Sequence, residues 1–250
     1  MSLLQHLEEL RKRILYSLAS VGICFGVGWY FWDAIYAQMR KPIEQALSQH
    51  HLPTELGFLN PTDPFNMSLK IALISGIFIA SPFLLYQVWV FISPGLYRHE
   101  KRFIVPFLFL SVGLFLSGGA FGFKIVFPVA LDFLIDTGTR AGLKPMITIT
   151  EYMTLFLTVI LGLAIIFELP IVLGFAGMMG VVNAKFLIKH IRGAVLIFFI
   201  VAAVLTPTTD ILNMTIYAAP MILLYILSIG IVWFVHPSQR RKRREKQGRA

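Results

Sequence analysis

The sequence predicts an all-α polytopic membrane protein with six transmembrane helices, both termini on one side of the membrane, and a short fifth helix. Three observations lead there. Apolar residues make up 57% of the 250 residues and charged residues only 14%, with a mean hydropathy of +0.75. A soluble domain is about 45–50% apolar and about 25% charged. The apolar residues gather into six runs, most of them near the ~20 residues that cross ~30 Å of hydrocarbon. The basic residues collect in alternate connections between those runs, as cytoplasmic loops do.

The first run, Ile14 to Trp32, reads ILYSLASVGICFGVGWYFW. It is too long for the apolar core of a signal peptide and ends in aromatics instead of a small-residue cleavage site. Trp29, Tyr30 and Trp32 suit an interfacial belt. Before it lies HLEELRKR, in which Leu3, Leu7, Leu10 and Ile14 recur at helical spacing and predict an amphipathic lead-in lying on the bilayer surface or a neighbouring helix. Here Glu8 stands four before Lys12 and Glu9 four before Arg13. The plain reading of both acids is therefore an i,i+4 pair, worth about 0.2–0.5 kcal/mol each.

Asp33 to Pro64 is expected to be a long connection to the second run, Leu69 to Ile92, and the third run follows at Phe103 to Phe127. The fourth, Tyr152 to Met178, contains Glu168 two residues before Pro170. A carboxylate at that depth costs several kcal/mol without a partner, so Glu168 should face a bundle interior, a wet cavity or another helix. The alternative is that it bonds backbone groups freed by Pro170. The fifth run, Ala194 to Leu205, offers only about 12 apolar residues, or about 18 Å of helix, before the turn TPTTD. The sixth is Ile211 to Val235. No internal repeat is visible, so the chain reads as one integral domain, 1–235, followed by a basic tail, 236–250, which contains RRKRREK.

Of the 22 Lys and Arg, 16 lie in the amino-terminal lead-in, the second-to-third connection, the fourth-to-fifth connection and the tail. The positive-inside rule therefore puts both termini in the cytoplasm. On that basic side a second acid, Glu100 in SPGLYRHEKRF, sits among Arg98, Lys101 and Arg102. Catalytic signatures are missing: HEKRF lacks the second histidine of H-E-x-x-H, and there is neither a Walker A sequence nor G-x-S-x-G. The single cysteine, Cys24, precludes an internal disulfide. The expectation is no enzyme, no cofactor, no metal and no nucleic acid, with any work driven by a gradient, by binding or by a partner.

Taken together, HLEELRKR, PTDPFNMSLK, SPFLLYQVWVFISPGLYRHEKR, FELP and TPTTD, in this order across nearly the whole chain, resemble the TatC family of the twin-arginine protein translocase. Met214 departs from the pattern, standing where many relatives carry glutamine. The resemblance implies export of folded proteins across the bacterial cytoplasmic membrane, or less readily the thylakoid membrane, driven by the proton-motive force. It implies a surface for paired-arginine signal peptides at Glu9, Leu10, Arg11, Tyr97, Arg98 and Glu100. It also implies partner docking at Glu168 and Pro170, and a short-helix turn at Pro207 and Asp210. The implied partners are signal peptides of folded cargo, small single-span subunits of the TatA and TatB type, further copies of this chain, and membrane lipid. Carboxylates suit the task because guanidinium groups match them bidentately. Two other classes remain open from the residues alone: a secondary transporter, which usually shows repeat symmetry, and an assembly scaffold without receptor activity.

Overall fold

The computed structural model describes residues 3–92, 104–205 and 211–235. Tyr97, Arg98, Glu100, Pro207, Asp210 and the tail 236–250 lie outside the described residues. The chain forms two compact units that divide after Leu161.

In the first unit, α1 (Leu3–Tyr30) begins well before the apolar run and carries the lead-in and the span as one helix. It lies antiparallel to α4 (Asp63–Ile92). Their close approach rests on two glycines. A Cβ on Gly28 would come within 2.8 Å of the Ala72 carbonyl oxygen, and one on Gly76 within 2.9 Å of the Phe25 backbone nitrogen. Inside α4, Pro82 has no N–H to give the Phe78 carbonyl four residues back. The Ser81 hydroxyl donates to that carbonyl at 2.8 Å, so the turn is not left open.

The expected loop from Asp33 to Pro64 is largely helical. At Phe31 the chain bends by 78°, then forms α2 (Trp32–Met39) and α3 (Lys41–Gln49), the latter with Pro42 in its first turn. Ile43, Ala46 and Leu47 recur at i, i+3 and i+4 and are buried, which gives α3 an apolar stripe in a segment otherwise too polar for a span. Asp63 then takes the Leu59 and Asn60 amides at 3.1 and 3.0 Å and fixes the entry into α4.

The third apolar run also extends further than expected. α5 (Ile104–Phe121), a π-helical segment at Gly122–Val126 and α6 (Phe127–Arg140) form one continuous helix of 37 residues. The wider π turn falls just before Pro128, whose ring and missing N–H disturb a regular ladder. α3 packs on α6, where Phe127, Ala130, Leu131 and Ile135 are buried, and His50 meets Asp132 at 2.8 Å. α7 (Ile149–Ile166) contributes Tyr152 and Phe156, whose rings lie 5.6 and 5.1 Å from that of Phe127. Tyr152 donates its hydroxyl to the Met39 carbonyl. Gly57 pairs with the strand-like stretch before α7, its amide reaching the Ile147 carbonyl at 3.2 Å.

The second unit holds α8 (Leu169–Met178), α9 (Ala184–Lys189), α10 (Ile191–Leu205) and α11 (Ile211–Val235). α8 packs on α11 so tightly that a Cβ on Gly177 would lie 2.8 Å from a Val232 methyl. Gly180, at φ +76°, ends α8 in the left-handed region, where a side chain is strained. The Asn183 side chain caps α9 by accepting the Phe186 amide at 2.8 Å. Tyr225 of α11 donates its hydroxyl to the Leu187 carbonyl at 3.0 Å and stacks edge-on with Phe198 of α10 at 5.7 Å.

Among the described residues, four helices are long and apolar enough to cross a membrane: Asp63–Ile92, Ile104–Arg140, Ile149–Met178 counted through its break, and Met214–Phe234. The bent pair that begins with α1 makes a fifth, and Ile191–Val204 is apolar but shorter. Ile23, Phe109, Ile165, Val172 and Val204 are among many large apolar side chains left exposed. Water would penalise such faces, whereas lipid accommodates them. The molecule is a multi-pass membrane protein.

Candidate functional site

At the amino-terminal end of α1 the expected acid, Glu9, is linked to α4 through Arg13. Arg13, one turn further along, donates through Nη2 to Glu9 Oε1 at 3.3 Å and through Nη1 to Gln87 Oε1 at 3.1 Å. Gln87 is 4% exposed, while the Glu9 and Arg13 side chains retain 19% and 23% exposure. The pairing expected for Glu9 is thus present, but it is not a simple surface pair, because one end is anchored in the packed α1–α4 seam. Arg13 Nε is buried and meets no acceptor among the described residues. His6 stacks on Phe91 at 4.5 Å and closes the same end of the seam.

The neighbouring residues behave differently. Lys12 sits over the Tyr16 ring at 5.8 Å, a cation–π contact in the place where an ion pair to Glu8 was expected. Leu10 and Arg11 are exposed, Leu10 less so than Leu7 and Ile14 on either side of it in the same stripe. Tyr97, Arg98 and Glu100 lie outside the described residues; the chain leaves α4 at Ile92, one residue beyond the Phe91 that stacks on His6. Gln87 was not anticipated. Its signal was available, a lone amide inside the apolar stretch LLYQVWVF, but its partner lies 74 positions away.

Glu168 occupies the break in the fourth apolar run. Pro170 cannot donate to the Ile166 carbonyl, so the helix ends at Ile166 and restarts at Leu169. The Glu168 carbonyl accepts the Ile171 and Val172 amides, both at 3.0 Å. Its carboxylate does not cap α8, and the side chain is half-buried while Pro170 is buried. The break therefore presents an acid partway along an apolar helix of 30 residues. No cluster of three or more His, Cys, Asp or Glu suited to a metal ion occurs among the described residues.

Comparison with known proteins resolves the family. The model of the Sec-independent protein translocase protein (TatC) family matches residues 5–220. The chain belongs to the TatC family. A TatC from Koribacter versatilis is 55% identical over 247 residues, covering 99% of this chain and 90% of its own length. One from Aquifex aeolicus is 36% identical over 248 residues, covering 99% of both. A crystal structure of a twin arginine translocase receptor, TatC, superposes with a TM-score of 0.80 at 35% identity, covering 92% of this chain and 99% of the other. A second TatC structure, in the detergent DDM, gives 0.81 at 36% identity. Membership makes this chain a component of Sec-independent protein translocation, a transport protein and not an enzyme.

Proposed function

We propose that this TatC is the receptor for signal peptides bearing paired arginines and the platform on which the export complex assembles. The observation that carries the reading is Glu9: a carboxylate held at the end of the α1–α4 seam, inside a basic stretch, and already engaging a guanidinium. A site that accepts one guanidinium in this geometry suits a second one supplied by a peptide. The family pattern assigns Glu100 as a second peptide-binding acid, and Leu10, Arg11, Tyr97 and Arg98 as further residues of the peptide site.

The charge bias supports six spans with both termini in the cytoplasm; membership of the TatC family supports a bacterial cytoplasmic membrane and cargo moved by the proton-motive force. Glu168, at the helix break set by Pro170, is suited to receive a transmembrane helix of a TatA- or TatB-type partner. Further copies of this chain share the active complex. The residues 1–235 act as the membrane domain and 236–250 as a cytoplasmic basic tail.

Peptide affinity tests the receptor reading. A charged hydrogen bond contributes about 1.5–3 kcal/mol, so Glu9→Ala or Glu100→Ala should weaken a twin-arginine peptide by about 10- to 150-fold. The double variant should lose less than the two effects added, because both acids hold one motif. Glu100→Arg should abolish binding while the protein still inserts. Unchanged affinity in all these variants removes the receptor role from Glu9 and Glu100.

A further inference from the structure

Arg13 places a positive charge beside the very carboxylate that is to bind cations. Its hold on Glu9 is a single contact of 3.3 Å to one oxygen, and a carboxylate offers about four lone-pair positions. Oε2 and part of Oε1 are left for a ligand, so Arg13 does not close the site. Neither can it swing away freely. Gln87, buried in the seam, holds the other arm of the guanidinium at 3.1 Å, so the positive charge is fixed in place next to Glu9.

We infer that Arg13, held by Gln87, sets the preference of this site for arginine over lysine. This rests on Glu9 being a peptide-binding residue. Any cation that reaches Glu9 meets repulsion from Arg13 at short range in a partly dehydrated seam. A lysine ammonium is a compact, strongly hydrated point charge whose three N–H donors diverge, so it cannot offset that repulsion with two parallel bonds to one carboxylate. A guanidinium spreads its charge over a plane, is more weakly hydrated, and can place two parallel N–H groups on one carboxylate. It can also lie flat against another guanidinium. Arg13 therefore weakens both ligands but weakens lysine more. It acts through Glu9 and is a selectivity-setting residue, with Gln87 as its anchor.

The test measures binding of a twin-arginine peptide and its twin-lysine version to the full-length protein in detergent, for wild type, Arg13→Gln, Arg13→Lys, Gln87→Met and Glu9→Gln. Arg13→Gln removes the fixed charge, and the twin-lysine peptide should gain more affinity than the twin-arginine peptide. The ratio of the two should narrow by about 3- to 10-fold, the scale of one partly screened charge–charge contact. Arg13→Lys keeps the charge and should keep most of the ratio. Gln87→Met frees the guanidinium and should narrow the ratio by a smaller factor, which provides the test if Arg13→Gln does not accumulate. A structural role alone would lower both affinities in parallel. A parallel loss, or a ratio unchanged in Arg13→Gln and Gln87→Met, overturns the inference. If Glu9→Gln leaves both affinities at the wild-type value, it is the underlying assignment of Glu9 that has failed instead.

Discussion

Tyr152 is fully packed, yet it keeps a polar group satisfied by donating its hydroxyl to the Met39 carbonyl across 113 residues of sequence. Removing that donor strands a buried carbonyl, at a cost of about 1–3 kcal/mol. Tyr152→Phe retains the ring contacts with Phe127 and Phe156 and should lower the thermal midpoint in detergent without changing peptide binding; an unchanged midpoint would show that the hydroxyl contributes nothing net. Glu168 calls for a different assay. Its carboxylate does not cap α8, so Glu168→Ala is expected to leave signal-peptide affinity intact while reducing partner recovery or cargo export. Export at the normal rate would leave Glu168 as a local feature of the Pro170 break. Both acids, Glu9 and Glu168, were legible in the sequence, because a carboxylate in a basic or apolar stretch contradicts its surroundings. Gln87 was not, since only the folded seam brings it to Arg13.

At the scale of elements, the seam between α1 and α4 depends on the absence of side chains at two positions. Gly76→Val would drive a branched side chain into the Phe25 backbone, already 2.9 Å from a single added carbon. Overpacking of this kind costs about 1–3 kcal/mol or more, and here it should lower the thermal midpoint in detergent by forcing α1 and α4 apart. Gly22, on α1, has nothing within 4 Å of an added carbon. Gly22→Ala should be neutral or stabilise by up to about 1 kcal/mol through helix propensity. Equal losses in the two variants would show that the close approach at Gly76 is not what the seam depends on. The spans were readable because lipid demands long apolar runs whatever the tertiary context. α2, α3 and the extension of the third helix to Arg140 were not read, because their apolar residues form narrow stripes that pack on protein. Ile43, Ala46 and Leu47 occupy one side of α3 between polar neighbours, a pattern that a search for continuous apolar runs passes over.

For the whole molecule, the charge bias predicts which face each end occupies. In a Cys24→Ser background, single cysteines at Ser48 and Thr54 should react with an impermeant reagent only from outside the cell, and one at Arg11 only from the cytoplasm. Reaction of all three from one side would overturn the even number of crossings. Truncation after Gln239 removes most of the basic tail and should leave export largely intact, since a run of like charge near a membrane chiefly attracts anionic lipid at about 1 kcal/mol per residue. Complete loss of export with normal insertion would give the tail a further role. The apolar part of α10, Ile191–Val204, is 14 residues long, about 21 Å of helix beside a hydrocarbon layer of about 30 Å. The continuous helix from Ile104 to Arg140 has 37 residues, about 55 Å, and is indifferent to that thickness. Lipid acyl length should therefore act on this protein selectively. In vesicles of progressively longer chains, the region around α10 is stretched first, and a reporter placed there should respond while one on α5 does not.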